Sequence, residues 1–258
     1  MKKGILNVVT YTLVFLAIQY FCLLAMPLFG VSTEAGKITG LGLIITMGVS
    51  SLIAIALYLL AHWAEVSPTY LRSRPWAVFF WSGIASLGAI IPSLWLQEQI
   101  PELPNFLEES FDMILRDRWG YVVIGLLAPV AEEIVFHGAV LRELLQMVSH
   151  RWTAIAISAL VFALIHGNPA QMPHAFLIGL LLGWMYWRTG SILPGVVFHW
   201  VNNSVAYVGY NLYPDPSIKL VDLFGSQRSV AAAVAFSLLI LVPALYQLYL
   251  RLRPASGQ

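Results

Sequence analysis

Residues 128–138 read APVAEEIVFHG, and the adjacent carboxylates Glu132 and Glu133 sit in a run that is otherwise continuously apolar. On the membrane-insertion scale a charged side chain at a helix centre costs about 2.5–3.5 kcal/mol, while a leucine contributes about 0.3–0.6 kcal/mol. Two central acids therefore offset roughly ten leucines. Acids tolerated on such terms face a bundle interior or a wet cavity, and they mark function. Adjacent carboxylates out of water do not ionise independently, so one can act as a base toward water while the other orients or neutralises a partner.

Further polar residues lie at comparable depth. His137 follows Glu133 by four residues, on the same helical face, and can fix it; Glu132 points about 100° away, toward other helices. His166 ends the apolar stretch FALIH, and His199 and Asn203 share a face in HWVNN. His199 and Asn203 both offer the donors an oxyanion needs. The set suits hydrolysis of an amide at membrane depth. It also suits a divalent metal such as zinc, held by Glu132, His166 and His199 with a position left open for water. Pro129, just before the acids, removes a backbone donor and can kink the helix to admit water.

These residues need helices to position them. The 258-residue chain is 59% hydrophobic and only 10% charged, with mean hydropathy +0.77, against about 25% charged for a soluble domain. Apolar runs near 5–30, 38–62, 76–97, 120–147, 152–167, 173–188, 191–212 and 229–250 predict about eight transmembrane helices. The runs lack the alternation of a membrane β-barrel, so the fold class is all-α, a polytopic membrane helix bundle. HGNPAQMPH (166–174) carries two prolines and separates the fifth helix from the sixth. The first run, preceded by Lys2 and Lys3, is too long for a signal-peptide core and reads as a retained helix. With the N-terminus inside, nine Lys and Arg fall in cytoplasmic segments and five outside, among them Lys37. That bias places both termini in the cytoplasm of an integral cell-membrane protein. NFLEESFDMILRDRW (105–119) is amphipathic and suits the membrane surface. The single cysteine, Cys22, excludes a disulfide framework, and the net charge of +1 with no basic stripe excludes a nucleic-acid partner.

EEIVFHG, FALIH and HWVNN, in that order on successive helices, resemble the motifs EExxxR, FxxxH and HxxxN of the CPBP intramembrane proteases. This is the CAAX-protease and bacteriocin-processing family, also called Abi. The resemblance runs from about Ala128 to Asn203 and includes GLLLGWMYWRTGSILPGVVFH (179–199). It implies a four-helix catalytic core and endopeptidase action on a membrane-associated protein or peptide. It also implies that Glu132, beside Glu133, activates water with His166, and that His199 and Asn203 stabilise the oxyanion. No cofactor is required in the glutamate mechanism we favour. Domains are expected at 1–118 (first helices and outer amphipathic segment), 119–212 (core) and 213–258 (outer loop and last helix). One position departs: His137 stands where the family has Arg, and it can balance a carboxylate only when protonated. Arg142 is too far round the helix to replace it.

Two other functions stay open on the sequence: a non-proteolytic scaffold or bacteriocin-immunity protein, and a proton- or ion-coupled transporter built on the same Glu and His residues. A transporter favours inverted repeats, and none is visible. The short chain with basic ends looks bacterial.

Overall fold

A backbone that crosses hydrocarbon must satisfy its own hydrogen bonds, and the apolar runs do so as helices. The computed structural model describes residues 2–29, 38–215 and 218–254; Lys37 lies outside them. The long helices are α1 (Lys2–Ala25), α2 (Gly40–Leu60), α4 (Trp76–Glu98), α6 (Val122–Met147), α7 (Arg151–Leu164), α8 (Met172–Thr189), α9 (Leu193–Leu212) and α11 (Gln227–Arg251). Short helices α3 (Pro68–Arg72), α5 (Glu108–Leu115) and α10 (Leu220–Phe224) lie between them. The eight long helices fall where the apolar runs place them, and the chain is an all-α polytopic membrane bundle. Among the described residues, five helices are long and apolar enough to cross a membrane: α1 with its 3-10 extension to Phe29, α2, α4, α6 and α11. The other three, α7, α8 and α9, are shorter or more polar; His174, His199 and Asn203 lie on α8 and α9, and His166 in the turn that follows α7.

Local chemistry sets the helix ends. Thr39 Oγ1 accepts from Gly42 N–H at the start of α2, and Ser226 Oγ from Ser229 N–H at the start of α11. Gly190 ends α8 in the left-handed conformation (φ 66°), where a Cβ would be strained. The break expected in HGNPAQMPH falls between Leu164 and Met172, with Gly167 at φ 62°.

Contacts define two ends of the bundle. At one, Arg142 pairs with Glu65 at 2.9 Å, Ser67 Oγ donates to Gly190 O, and Arg188 donates to Tyr249 O. At the other, Gln97 Nε2 donates to Ala170 O, Leu220 N to Glu98 Oε1, and Tyr210 Oη to Asp112. The amphipathic segment becomes α5, which buries Ile114 and is bound to α9 through Asp112. Helix α6 is packed by α1, α2, α7, α8 and α9, which makes it the axis of the bundle.

Candidate active site

Helix α6 is not a regular α-helix. Its turns are wide over Val122–Leu127 and Glu133–Leu141, with an ordinary α turn at Ala128–Glu132 between them. Wide turns leave backbone groups out of phase and recur at functional sites. Ala128 N–H reaches back five residues to Val123 O. The next residue in that register is Pro129, which has no N–H, so Ile124 O loses its partner. Asn203 Nδ2, on α9, donates to Ile124 O at 3.0 Å and fills the place. Asn202 Nδ2 in turn donates to Asn203 Oδ1 at 3.1 Å and fixes that amide.

One turn below, the carboxylates meet His199. Glu133 is fully buried, and His199 Nδ1 lies 3.1 Å from its Oε1. Glu132 Oε2 lies 3.7 Å from His199 Nε2, and its side chain keeps 17% exposure. The acids therefore differ in access: Glu133 is sealed, and Glu132 is the one water can reach. With Nδ1–H donated to Glu133, Nε2 is the nitrogen left facing Glu132.

The carboxylate of Glu133 fits because residue 195 is glycine. A Cβ there would stand 2.4 Å from Glu133 Oε2. Gly195, His199 and Asn203 recur every four residues along one face of α9, so a single helical row admits one acid, bonds it and anchors α6. That row is visible in GVVFHWVNN, but the sequence gives no sign of what Gly195 must accommodate.

His137 reaches Glu133 as its spacing predicts, with Nδ1 3.1 Å from Oε2, and it is fully buried. The approach lies off the hydrogen-bonding direction, and neither ring nitrogen of His137 has a hydrogen-bond partner, nor does Glu133 Oε2. It is a close contact of two buried polar groups rather than a directed bond. Arg142 is engaged with Glu65 at the end of the bundle, away from this pair.

His166 joins through an aromatic hub. Its Nδ1 bonds Phe162 O at 2.8 Å, which leaves Nε2 available. The buried Phe162 ring lies 5.0 Å from the ring of His166, 5.9 Å from that of His199 and 6.0 Å from that of His137. The loop after His166 is held from outside. Asn168 Oδ1 accepts from Phe106 N–H, its Nδ2 donates to Asn105 Oδ1, and Ala170 N–H donates to Pro104 O. Phe162 is legible in the sequence as the F of FALIH, whereas Asn168, Asn202 and Gly195 carry no signal there for the contacts they make.

Among the described residues, no three His, Cys, Asp or Glu side chains come close enough together to hold a metal ion.

Comparison with known proteins bears on the same stretch. Residues 115–205 match the family described as type II CAAX prenyl endopeptidase, Rce1-like. No curated protein and no solved structure matches the chain. The matched segment runs from the end of α5 through Val205 and contains all three motifs, so the resemblance read from them holds.

Proposed function

We propose that this chain, Rce1-like over residues 115–205, is an intramembrane endopeptidase that hydrolyses a peptide bond of a membrane-associated protein or peptide. The observation that carries the reading is the unequal pair of carboxylates around one imidazole, set inside the matched segment. Glu132, the accessible acid, takes a proton from water, and the hydroxide adds to the scissile carbonyl. His199, as an imidazolium carrying a proton on each ring nitrogen, presents Nε2–H to the developing oxyanion, and the Asn203 amide presents its second N–H. Glu133 holds the His199 ring in place through Nδ1, and His137 offsets the charge of Glu133 when protonated. His166, with Nε2 free, assists in activating the water and passing its proton to the leaving amine. Water adds across the C–N bond, giving a new carboxylate and a new amine. The reaction so drawn needs no resident metal.

The test compares peptide termini in membrane and secreted fractions of cells carrying wild type, Glu132→Gln or neither, with the two forms matched for abundance. New termini that depend on the wild type alone establish hydrolysis, with the variant expected to be slower by about 10²–10⁴-fold. Coincident wild-type and Glu132→Gln profiles would sink the reading.

A further inference from the structure

An oxyanion is stabilised only by donors, and the Asn203 amide carries a donor group and an acceptor of nearly equal size. Half a turn of that amide exchanges the two and sets Oδ1 against the developing negative charge. Whatever fixes its sense therefore decides whether Asn203 stabilises the transition state or opposes it. Two contacts fix it. Ile124 O can only accept, and it takes Asn203 Nδ2 at 3.0 Å. Asn202 Nδ2 can only donate, and it takes Asn203 Oδ1 at 3.1 Å. Both contacts select the same orientation, and one N–H of Asn203 remains to be offered outward.

Asn202 falls between the His and the final Asn of HWVNN, at a position that the motif HxxxN leaves open. Successive residues of a helix lie about 100° apart and do not ordinarily face each other. The bond between residues 202 and 203 nevertheless draws both amides toward one side of α9, where Asn202 is buried. Burying an amide there costs free energy that a leucine of similar volume would not incur. Among the described residues, no other donor reaches Asn203 Oδ1. Asn202 is thus a buried polar side chain whose donor is spent on one atom, and that atom belongs to the amide the reaction uses.

We infer that Asn202 is a positioning residue of the oxyanion site: by donating to Asn203 Oδ1 it turns the Asn203 amide so that an N–H, not the carbonyl, meets the scissile oxygen. Asn202 itself touches neither the substrate nor the reacting atoms. The inference rests on the proteolytic reading and adds to it the group that sets the sense of its oxyanion donor. Because the donor matters most when charge has developed, loss of Asn202 should lower kcat and leave KM nearly unchanged.

The experiment uses the full chain in phosphatidylcholine vesicles. The substrate is the best-cleaved member of a pool of randomised apolar peptides about 20 residues long. Asn202→Leu keeps the volume and removes the donor; it should lower kcat about 10-fold, the size of one hydrogen bond, with KM within about 2-fold of wild type. Asn202→Asp carries the sharper test. Ionised, its carboxylate only accepts and competes with Ile124 O for Asn203 Nδ2, so the amide loses its sense and kcat should fall about 100-fold. Protonated, its hydroxyl donates to Asn203 Oδ1 and restores the wild-type arrangement. The kcat ratio of Asn202→Asp to wild type should therefore rise at least about 10-fold as pH falls from about 9 to about 5, the range in which buried carboxyls take up a proton. Taking the ratio removes what Glu132, Glu133 and the histidines contribute to both forms, and rates are expressed per folded molecule. A kcat for Asn202→Leu within about 2-fold of wild type, a loss confined to KM, or a ratio for Asn202→Asp that stays flat with pH overturns the assignment and leaves hydrolysis standing. Where Asn202→Leu does not fold, the Asn202→Asp ratio decides. Cleavage of no peptide by the wild type removes the hydrolytic reading, and the positioning role with it.

Discussion

Helices α6 and α11 are of similar length and both apolar, yet 72% of the apolar window of α6 is buried within the protein against 17% for α11. Lipid is as apolar as leucine, so α11 can turn Phe236, Leu239 and Val242 outward without cost. Helix α6 carries two acids and a histidine in its middle turns, Glu132, Glu133 and His137, and it needs protein on nearly every side to supply partners. The contrast shows that hydrophobicity identifies helices that enter the membrane but does not rank them. What separates the two is the polar load each must satisfy.

The largest test of this contrast is a pair of phenylalanines. Phe162→Ala removes the hub beneath three imidazoles and should destabilise the protein by about 3–5 kcal/mol. Phe236→Ala, on a side chain 65% exposed, should stay within about 0.5 kcal/mol. Unfolding in mixed micelles reads both, and equal losses would erase the distinction. A smaller effect divides two glycines of α9. Gly195→Ala forces a Cβ against Glu133 and should cost about 1–3 kcal/mol along with activity. Gly209→Ala meets nothing within 4 Å and should stabilise by about 0.5–1 kcal/mol.

Next comes the bond between α9 and the backbone of α6. Asn203→Leu should cost about 1–3 kcal/mol by leaving Ile124 O unpaired. In a Pro129→Ala background, which restores an N–H in the five-residue register, that cost should fall by about 1 kcal/mol. Additive losses would show that the proline does not create the need for Asn203. The smallest effect belongs to the exposed end. The Tyr210 hydroxyl, and then Arg116, hold the Asp112 carboxyl below its ordinary range. A lowered carboxylate stabilises the fold above its unfolded pKa of about 4, and that contribution is lost as pH falls through the lower, folded value. Asp112→Asn should therefore lower Tm slightly at neutral pH and by progressively less in acid; a variant deficit that persists undiminished at pH 2 would contradict this.

The sequence reveals these features unevenly. The eight helices are readable because each is an apolar run with recognisable breaks, and the Glu133–His137 contact because four-residue spacing is local. Asn203 is readable as a polar residue at depth, but not as the partner of Ile124. That role depends on the hydrogen-bond register of α6, which no periodicity displays. Gly195 is readable as a small residue on the His199 face, while the carboxylate it admits comes from another helix. The 97–106 segment over the His166 loop has no signature at all, since backbone carbonyls and asparagines anywhere can make such bonds. Long-range pairing is what a one-dimensional pattern omits.

The clamp on that loop has a consequence for how the protein is made. Pro104, Asn105 and Phe106 lie outside the Rce1-like stretch, yet they hold the turn that follows His166. The stretch is therefore unfinished on its own. As the chain leaves the ribosome, residues 97–106 emerge before the turn they will hold, so the mould precedes the casting. A split version, with residues 1–118 and 119–258 expressed as separate polypeptides, should regain function only when both halves share a membrane.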